Sequence, residues 1–224
     1  MARTLGVLMT EHSTTARTAP AKRAGRKSAT GLRHEDKLSA ILRTAAQQFA
    51  TKGYEATSLD SIAEKLGMHK ATLYHYVDNK DSILYQCLVR SFGDLNDVME
   101  RMEDRSIPVM ERLRIFVRSL AAAQNNDYGR CQVLVGSRPL NTQAGEEIQR
   151  FKRRLDQTVR DLITEGIANG SIRPCHPGLF SAMLFGALNW VPRWHKEGGK
   201  LSIQDVADSF IDMLARGIEV PPRA

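Results

Sequence analysis

The chain has few of the features that accompany secreted, membrane-bound or metal-dependent proteins. Its 224 residues include only three cysteines, Cys87, Cys131 and Cys175, which are isolated and have no metal-like spacing. We expect packing residues in a reducing compartment, with a redox-sensing thiol as the alternative. No apolar run approaches the ~20 residues that cross a bilayer, and no signal-peptide core is present. The expectation is a cytoplasmic protein with no membrane partner and no bound metal.

Sequence patterns of catalysis are also missing. The chain has no P-loop, no dinucleotide-binding fingerprint and no glycine-rich nucleophile elbow. A possible nucleophile and base are found only in Cys175 with His176 and His195, and no paired acids surround these residues. We therefore expect a protein that is not an enzyme and holds no cofactor.

Positive charge is concentrated at the start of the chain. The net charge is +7, and residues 1–34 hold seven basic residues against Glu11, a net +6 that leaves +1 for residues 35–224. With its Gly, Pro, Ser and Thr content, the segment 1–33 is predicted to be a disordered basic arm. Arg26 and Lys27 lie in its most basic part and are predicted to contact DNA phosphates or the minor groove. The alternative is a solvated extension with no specific role.

Three short helical patterns follow the basic arm. Apolar residues recur at helical spacing from about Glu35 to Lys52, and Gly53 ends this first pattern. Thr57 with Asp60 predicts the cap of a second helix. Gly67 then supplies a tight turn, and a third helix is predicted from about His69 to Val77. Two short helices joined by such a turn predict a helix-turn-helix.

The third helix carries polar and aromatic side chains suited to a DNA groove, since a helix fits the major groove and lysines and hydroxyls reach phosphates. The predicted contacts on or beside it are His69, Lys70, Thr72, Tyr74, His75 and Tyr76. Thr57 and Lys80, at the starts of the second and fourth helices, are predicted to join them. The alternative is a structural three-helix unit in which Tyr74 and Tyr76 are half-buried aromatics.

Residues 67–81, Gly-Met-His-Lys-Ala-Thr-Leu-Tyr-His-Tyr-Val-Asp-Asn-Lys-Asp, resemble the signature of the TetR family of transcriptional repressors. The resemblance implies an all-α homodimer with an N-terminal three-helix DNA-binding domain and a C-terminal helical ligand-binding and dimerisation domain. We assign residues 34–80 to the first domain and 81–220 to the second. Val77 stands where the family usually has Phe, and His69 stands where a small hydroxyl residue is common.

The remaining sequence also has helical periodicity. A fourth helix, capped by Asp78, is predicted to reach about Arg101 and to carry ligand-driven movement to the recognition helix. Further along, Pro108 opens a helix that Gly129 breaks, a long helix ends at Gly170, and Pro177 starts another. Ser202 and Asp205 form a capping box for the last helix. The last two helices are predicted to form a four-helix bundle with a symmetry mate, as the resemblance implies.

A second resemblance concerns the ligand. Residues 186–202, with Asn189, Trp190, Trp194 and the run Gly-Lys-Leu-Ser at 199–202, are similar to a segment of TetR-like regulators that respond to acyl-coenzyme A esters. His195 replaces the common Tyr, and Pro192 is expected to interrupt the helix. The predicted ligand-binding residues are Phe185, Asn189, Trp190, Arg193, Trp194 and Arg138. The alternative is that Trp190 and Trp194 serve packing or the dimer interface.

Together these patterns predict a ligand-responsive repressor that binds palindromic operator DNA as a dimer and is released by an acyl-CoA thioester. Lipid or sterol catabolism is the process it is predicted to control. A sensor of hydrophobic drugs or other small lipophiles, controlling efflux, is the alternative within the family. A nucleoid-type DNA binder without an effector would explain the basic arm but leave the apolar C-terminal half without a role.

Overall fold

The structure is a computed structural model that describes residues 29–218. Arg26 and Lys27, predicted to contact DNA, lie outside the described residues. Within 29–218 the chain forms ten α-helices and no β-strand, which confirms the all-α fold class. The helices are α1 Ala29–Lys52, α2 Leu59–Lys65, α3 Lys70–Tyr74, α4 Lys80–Ser91, α5 Gly93–Met102, α6 Val109–Asn125, α7 Asp127–Leu134, α8 Thr142–Ala168, α9 Pro177–Trp194 and α10 Ile203–Ile218. Between residues 29 and 218, no helix has both the length and the apolar character needed to cross a membrane.

Helices α1 to α3 form a small three-helix unit with its own apolar centre. α1 begins six residues before the predicted Glu35, because the apolar periodicity that guided the prediction starts only at Leu38. Its inward face supplies most of the centre, and α2 and α3 add Ile62 and Leu73, both fully buried. Gly67, between α2 and α3, has a φ of 62°, which a residue with a side chain rarely adopts. The predicted tight turn is confirmed.

The start of α2 differs from the prediction. Its N-cap is Ser58, whose hydroxyl accepts the Ser61 backbone N–H, while the Ser61 hydroxyl reaches back to the Ser58 backbone. Capping by Thr57 and Asp60 is therefore wrong by one residue. Thr57 is buried instead, and its hydroxyl donates to the Gly53 carbonyl at 2.8 Å. This bond holds the loop between α1 and α2.

The connection to the rest of the molecule consists of two helices. α4 is capped by Asn79, not by the predicted Asp78, and it ends at Ser91. Phe92 separates it from α5, so the single helix predicted to reach Arg101 is wrong. The Phe92 ring stacks on Phe151 of α8 at 4.2 Å between centroids. This stacking anchors the break to the wall of the second unit.

Helix α6 lies at the centre of the second unit and packs against α5, α7, α8, α9 and α10. It follows Pro108, as predicted, but it ends at Asn125, before Gly129. Gly129 lies inside α7, where an added Cβ would come within 1.8 Å of the Ala123 carbonyl oxygen. The glycine therefore permits the close approach of α7 to α6 and does not break a helix. Asn126 caps α7 by accepting the Gly129 N–H at 2.8 Å.

The helix starts and ends predicted at Gly170, Pro177 and Ser202 are confirmed, and the interruption predicted at Pro192 is not. Gly170 follows α8 with a φ of 78°, Pro177 is the first residue of α9, and the Ser202–Asp205 capping box starts α10. α9 continues through Pro192 to Trp194, so the predicted interruption is wrong. Proline removes one backbone hydrogen bond from the last turn, and the chain still closes that turn through the bond from His195 N–H to the Val191 carbonyl.

Arg112 of α6 joins three segments of this unit. Its side chain is 1% exposed and donates to the carbonyls of Met102 and Ile107, at 2.7 and 3.0 Å. It also pairs with Glu165 of α8. A buried guanidinium needs such partners, since an unpaired buried charge is strongly unfavourable. The contacts fix the loop after α5 against α6 and α8.

Candidate DNA-binding surface and cavity

The exposed face of α3 carries most of the predicted DNA contacts. His69, Lys70, Tyr74 and His75 are exposed, and Tyr74 retains 46% of its accessible surface. Leu73, on the opposite side, is fully buried and holds the helix to the unit. A large exposed aromatic beside a lysine and two histidines is a surface that a nucleic acid can cover.

Several of the predicted contacts already have partners within the protein. The Lys70 ammonium lies 2.7 Å from the Asp60 carboxylate of α2, and this ion pair raises the pKa of Lys70. Tyr76 is half-buried, with its ring 4.6 Å from the His34 ring of α1. Thr72 is also half-buried. Lys70 remains exposed despite its ion pair. Thr57 is buried in the loop before α2, a position that does not fit its predicted DNA contact.

Lys80 begins α4, as predicted, but it also has partners within the protein. Its ammonium donates to the Tyr54 carbonyl at 3.0 Å and lies 4.1 Å from the centroid of the Tyr54 ring. The Tyr54 hydroxyl in turn donates to Asp81, and burial together with this carboxylate raises the pKa of Tyr54. Lys80 therefore helps to fasten α4 to the loop after α1, and its phosphate contact stays a prediction.

A cavity of about 520 Å³ lies inside the second unit, between α4, α5, α6, α7, α8 and α9. It opens beside α9, where Asn189 and Arg193 are exposed. This volume is within the range of small-molecule sites. The residues that line it are Ser91, Phe92, Leu95, Leu120, Ala123, Gln124, Gly129, Gln132, Val133, Val135, Gly136, Lys152, Leu155, Asp156, Ala182, Phe185, Asn189 and Arg193.

The wall of the cavity is partly polar. Gln124 donates through Nε2 to the Asn189 Oδ1 at 2.7 Å, while its own buried Oε1 has no partner among the described residues. Asp156 accepts from Arg160 at 2.6 Å and from Ser181 at 2.5 Å. Lys152 is half-buried, and burial lowers the pKa of its ammonium. A ligand in this cavity would therefore meet hydrogen-bonding groups as well as apolar ones.

Three of the six predicted ligand residues line this cavity: Phe185, Asn189 and Arg193. The prediction for Trp190, Trp194 and Arg138 does not fit their positions. Trp190 is 61% exposed and Trp194 43%, both outside the cavity, and Arg138 lies exposed in the loop after α7. Asn189 and Trp190 are neighbours in sequence but point about 100° apart around a helix, so one motif supplies both a cavity wall and an outer surface.

The outer face of α9 is an exposed apolar stripe, formed by Leu179, Met183, Trp190 and Trp194. The spacing of four, seven and four residues places these side chains on one side of the helix. The inner face, with Phe180, Leu184 and Leu188, is buried in the core, so the stripe adds nothing to the packing of the chain itself. Such a contiguous apolar patch is typical of a protein interface.

Helix α7 joins the cavity to the three-helix unit. Gly129, Gln132 and Val133 line the cavity, and α7 also packs on α1 and α4. Asp127 accepts from Gln47 of α1 at 3.1 Å and lies 3.6 Å from Arg43. A change in the position of α7 would therefore alter its contacts with α1 and α4 directly.

Two of the cysteines lie in this same junction. Cys87 of α4 and Cys131 of α7 are fully buried, as expected of packing residues, and Cys175 is half-buried. Burial raises the pKa of the Cys131 thiol to about 12 and that of Cys87 further above its ordinary value. Because the thiolate is the reactive form, these two thiols are poor redox sensors.

Sequence reasoning missed the most informative cavity residues. Lys152, Gln124 and Asp156 were not singled out, because a polar residue on a long amphipathic helix is ordinarily on the solvent side. The only available signal was the position of Lys152 next to Phe151, an apolar residue of the predicted long helix. Tyr54, which contacts Lys80, was missed for a different reason, because it lies in a loop where helical periodicity gives no signal.

Comparison with known proteins agrees with this arrangement. Residues 41–87 match the family model described as bacterial regulatory proteins, tetR family. Residues 106–218, half of the chain, match the model described as tetracyclin repressor-like, C-terminal domain. The first match contains α2 and α3, and the second contains α6 to α10.

Three relatives are informative about this arrangement. The structure of AibR in complex with isovaleryl coenzyme A and operator DNA is similar with a TM-score of 0.70 and 26% identity, covering 79% of this chain and 97% of that one. The transcriptional repressor KstR2 of Mycolicibacterium smegmatis is 26% identical over 80% of this chain and 88% of its own length. The fatty acid metabolism regulator protein of Bacillus subtilis is 23% identical over 81% of this chain and 95% of its own.

Proposed function

Since this chain belongs to the TetR family of transcriptional regulators, we propose that it is a dimeric operator-binding repressor released by an acyl-CoA ester bound in the cavity. The chain is a TetR-type transcriptional repressor. We propose in addition the class of effector, the dimer and the metabolic process that the repressor controls. The single observation that carries the proposal is the cavity of about 520 Å³ whose wall includes α7, the helix that also packs on α1 and α4.

The size and lining of the cavity support an acyl group as the part that enters. Phe92, Leu120 and Phe185 offer an apolar surface to a short or branched chain. The remainder of coenzyme A extends past the opening beside α9. There Arg193 has its guanidinium over the Trp190 ring, at 5.0 Å, and is exposed for a phosphate to approach.

A second, more open cavity of about 730 Å³ adjoins the same end of α9 and supports this placement of the nucleotide. Its lining includes Arg130, His195 and Lys196 together with the carboxylates of Asp127 and Glu197. Arg193 lines the first cavity and His195 the second, and the two residues are two positions apart at the end of α9. We place the phosphates of coenzyme A beside Arg130 and Lys196, because guanidinium and ammonium groups pair with phosphate.

The relatives support the class of effector and of process. AibR was solved with isovaleryl coenzyme A and operator DNA, which is one protein of this fold that holds both. The Bacillus subtilis relative is a fatty acid metabolism regulator. Control of lipid or sterol catabolism is accordingly the process we propose.

Helix α7 is the proposed transmission element. An acyl group placed against Gly129 and Val133 would displace α7, because both residues line the cavity. Asp127, bonded to Gln47, would carry that displacement to α1 and so to the recognition helix α3. In a dimer, two recognition helices must stay about 34 Å apart to grip adjacent major grooves, so a small shift lowers the affinity.

The apolar stripe of α9 is the proposed dimer surface. Met213 of α10 is 63% exposed and adds to the apolar surface available near the end of the chain. Two copies of α9 and α10 would bury these side chains in a four-helix bundle. Replacing Trp190 with glutamate should shift the protein to monomer in sedimentation, while the exposed control Lys200→Glu leaves the dimer intact. A dimer that survives Trp190→Glu would contradict this surface.

The proposed function is tested by operator binding with and without esters. Fluorescence anisotropy would follow binding to the DNA that flanks the gene, with a panel of acyl-CoA esters, their free acids and coenzyme A alone. We expect saturable, sequence-specific binding that esters weaken by at least about 10-fold, the lower range of allosteric coupling. Free acids and coenzyme A alone should have little effect, because each lacks part of the contact.

Two other results would change the proposal. Sequence-specific binding that lipophilic drugs relieve, and no ester does, would indicate a sensor of hydrophobic compounds. Equal binding to operator and random DNA would contradict a regulator and favour a nucleoid-type binder. The variant Ala182→Trp, which places a large ring at the cavity opening, is the matched control, because it should bind operator normally and ignore the ester.

A further inference from the structure

Lys152 is an unusual residue to find on a cavity wall. It lies on α8, half-buried, and has no hydrogen bond or ion pair within the part of the chain that the structure describes. The nearest carboxylate along the helix is that of Asp156, one turn later, and it is already bonded to Arg160 and Ser181. An ammonium removed from water without a counter-charge is unfavourable. Its presence therefore points to a negatively charged partner that is not part of the protein.

Gln124 is the second incomplete group on the same wall. Its side chain is more than nine-tenths buried, and one of its two amide atoms is paired with Asn189 while the other has no partner among residues 29–218. Exchanging the oxygen and nitrogen assignments of both amides keeps the pair and leaves the Nε2 of Gln124 free to donate. In that arrangement the cavity holds two unused donors, the Gln124 amide and the Lys152 ammonium.

We propose that the acyl group of the effector carries a carboxylate, so that the ligand is the mono-CoA ester of a dicarboxylic acid held by Lys152 and Gln124. This inference rests on the proposed function, because it takes the cavity to be the site of an acyl-CoA ester. A carboxylate accepts from several donors at once and compensates a buried ammonium.

The same groups discriminate against an ordinary fatty acyl chain. A methyl end placed beside Lys152 would leave the ammonium and the amide without partners in a space from which water has been displaced. Sites with buried polar groups reject ligands that cannot pair with them. The burial that lowers the pKa of Lys152 has the same physical origin, and a bound carboxylate would reverse it.

The test compares two esters of equal acyl length, hexanoyl-CoA and adipoyl-CoA, which differ in the terminal carboxylate. Titration calorimetry without DNA would measure the affinity of each for the full-length protein. We expect adipoyl-CoA to bind tighter by on the order of 10-fold or more, as one charge-assisted contact provides. Lys152→Met should abolish this preference and leave hexanoyl-CoA binding unchanged or improved.

Two further variants control for charge and for folding. Lys152→Arg keeps the positive charge and should retain a preference for adipoyl-CoA. Lys200→Met removes a lysine from the exposed loop before α10 and should behave as the unaltered protein. Thermal unfolding of each variant, followed by circular dichroism, would identify a misfolded sample before titration.

The possible failures are distinguishable. Equal affinity for the two esters in the unaltered protein would overturn the carboxylate while the proposed function stands. An equal loss for both esters in Lys152→Met would also overturn it, since Lys152 would then contact the coenzyme A phosphates. If neither ester binds and no member of the acyl-CoA panel releases the operator, the proposed function itself is wrong.

Discussion

The helix-turn-helix and the cavity place their functional side chains in opposite ways. At the end of α3, Tyr74 and His75 are exposed, while Leu73 is fully buried in the apolar centre of the three-helix unit. In the second unit, Lys152 and Gln124 face inward, onto a space that the surrounding helices leave open. The DNA-binding surface therefore lies on the outside of a packed core, whereas the ligand site is a cavity within a core.

Side chains of the DNA-binding surface contribute to function but little to stability, whereas side chains of the cavity wall contribute to both. An outward side chain can be exchanged at little cost to folding, because it is solvated in both the folded and the unfolded state. A side chain on the cavity wall contributes to the packing as well as to the ligand site. Substitutions in the two regions should therefore have different signatures.

The largest expected effect comes from matched leucine truncations. Leu73→Ala removes a fully buried side chain from a closed centre and should lower the free energy of unfolding by about 2–5 kcal/mol. Leu120→Ala removes a side chain that already borders the cavity, so its loss should be about 2 kcal/mol or less, the transfer contribution alone. Urea unfolding at one protein concentration would measure both. Equal losses would contradict the contrast between a closed and an open core.

A smaller effect is expected from the outward face of α3. Tyr74→Ala should weaken binding to operator and to random DNA alike, by about 1–3 kcal/mol, and leave the unfolding free energy nearly unchanged. Thr72→Ala and Lys70→Ala should instead weaken only binding to the operator, by relaxing the preference at single base pairs. Anisotropy titrations on both DNAs would separate the two classes. Equal losses on both DNAs for all three variants would refute the division.

The smallest effect is a pH dependence that Lys152 gives to stability. The pKa of Lys152 is lower in the folded protein than its ordinary value of 10.5, so the unfolded chain binds more protons between the two values. Stability therefore rises with pH through this window, which lies below about pH 10.5. Measured as a difference, unaltered protein minus Lys152→Met, the unfolding free energy should increase from pH 7 to pH 10. A flat or falling difference would show that Lys152 is solvated.

The elements of the first unit were largely predictable from the sequence, because local patterns determine them. Apolar spacing, Gly53 and Gly67 indicated three helices and their turn, and the errors at Thr57 and Asp78 amount to one residue each. Ser58 and Asn79 each have a polar neighbour that could also cap the helix, and the backbone conformation decides which residue becomes the N-cap. The resemblance to the TetR family is carried by this segment and is confirmed.

The cavity was less predictable, since it depends on contacts between residues far apart in sequence. Gln124 and Asn189 are 65 residues apart and meet only in the folded chain. Periodicity placed Trp190 on a helix but did not show which way it faced, and its apolar character suggested a ligand site. The break at Phe92 has no helix-breaking signal other than Gly93, and it depends on stacking against Phe151. Tertiary packing decides each of these features.

Helix α7 has a consequence for the amount of effector needed. It is both a wall of the cavity and a partner of α1. When DNA holds α1 in place, the ligand must therefore move α7 against the contacts that DNA stabilises, and this lowers the affinity for the ligand. Linkage then requires that operator DNA weaken ligand binding by the same factor by which the ligand weakens operator binding. Repressor bound at its operator would be less sensitive to the metabolite than repressor free in solution, so the unbound pool fills first and sets the threshold for induction.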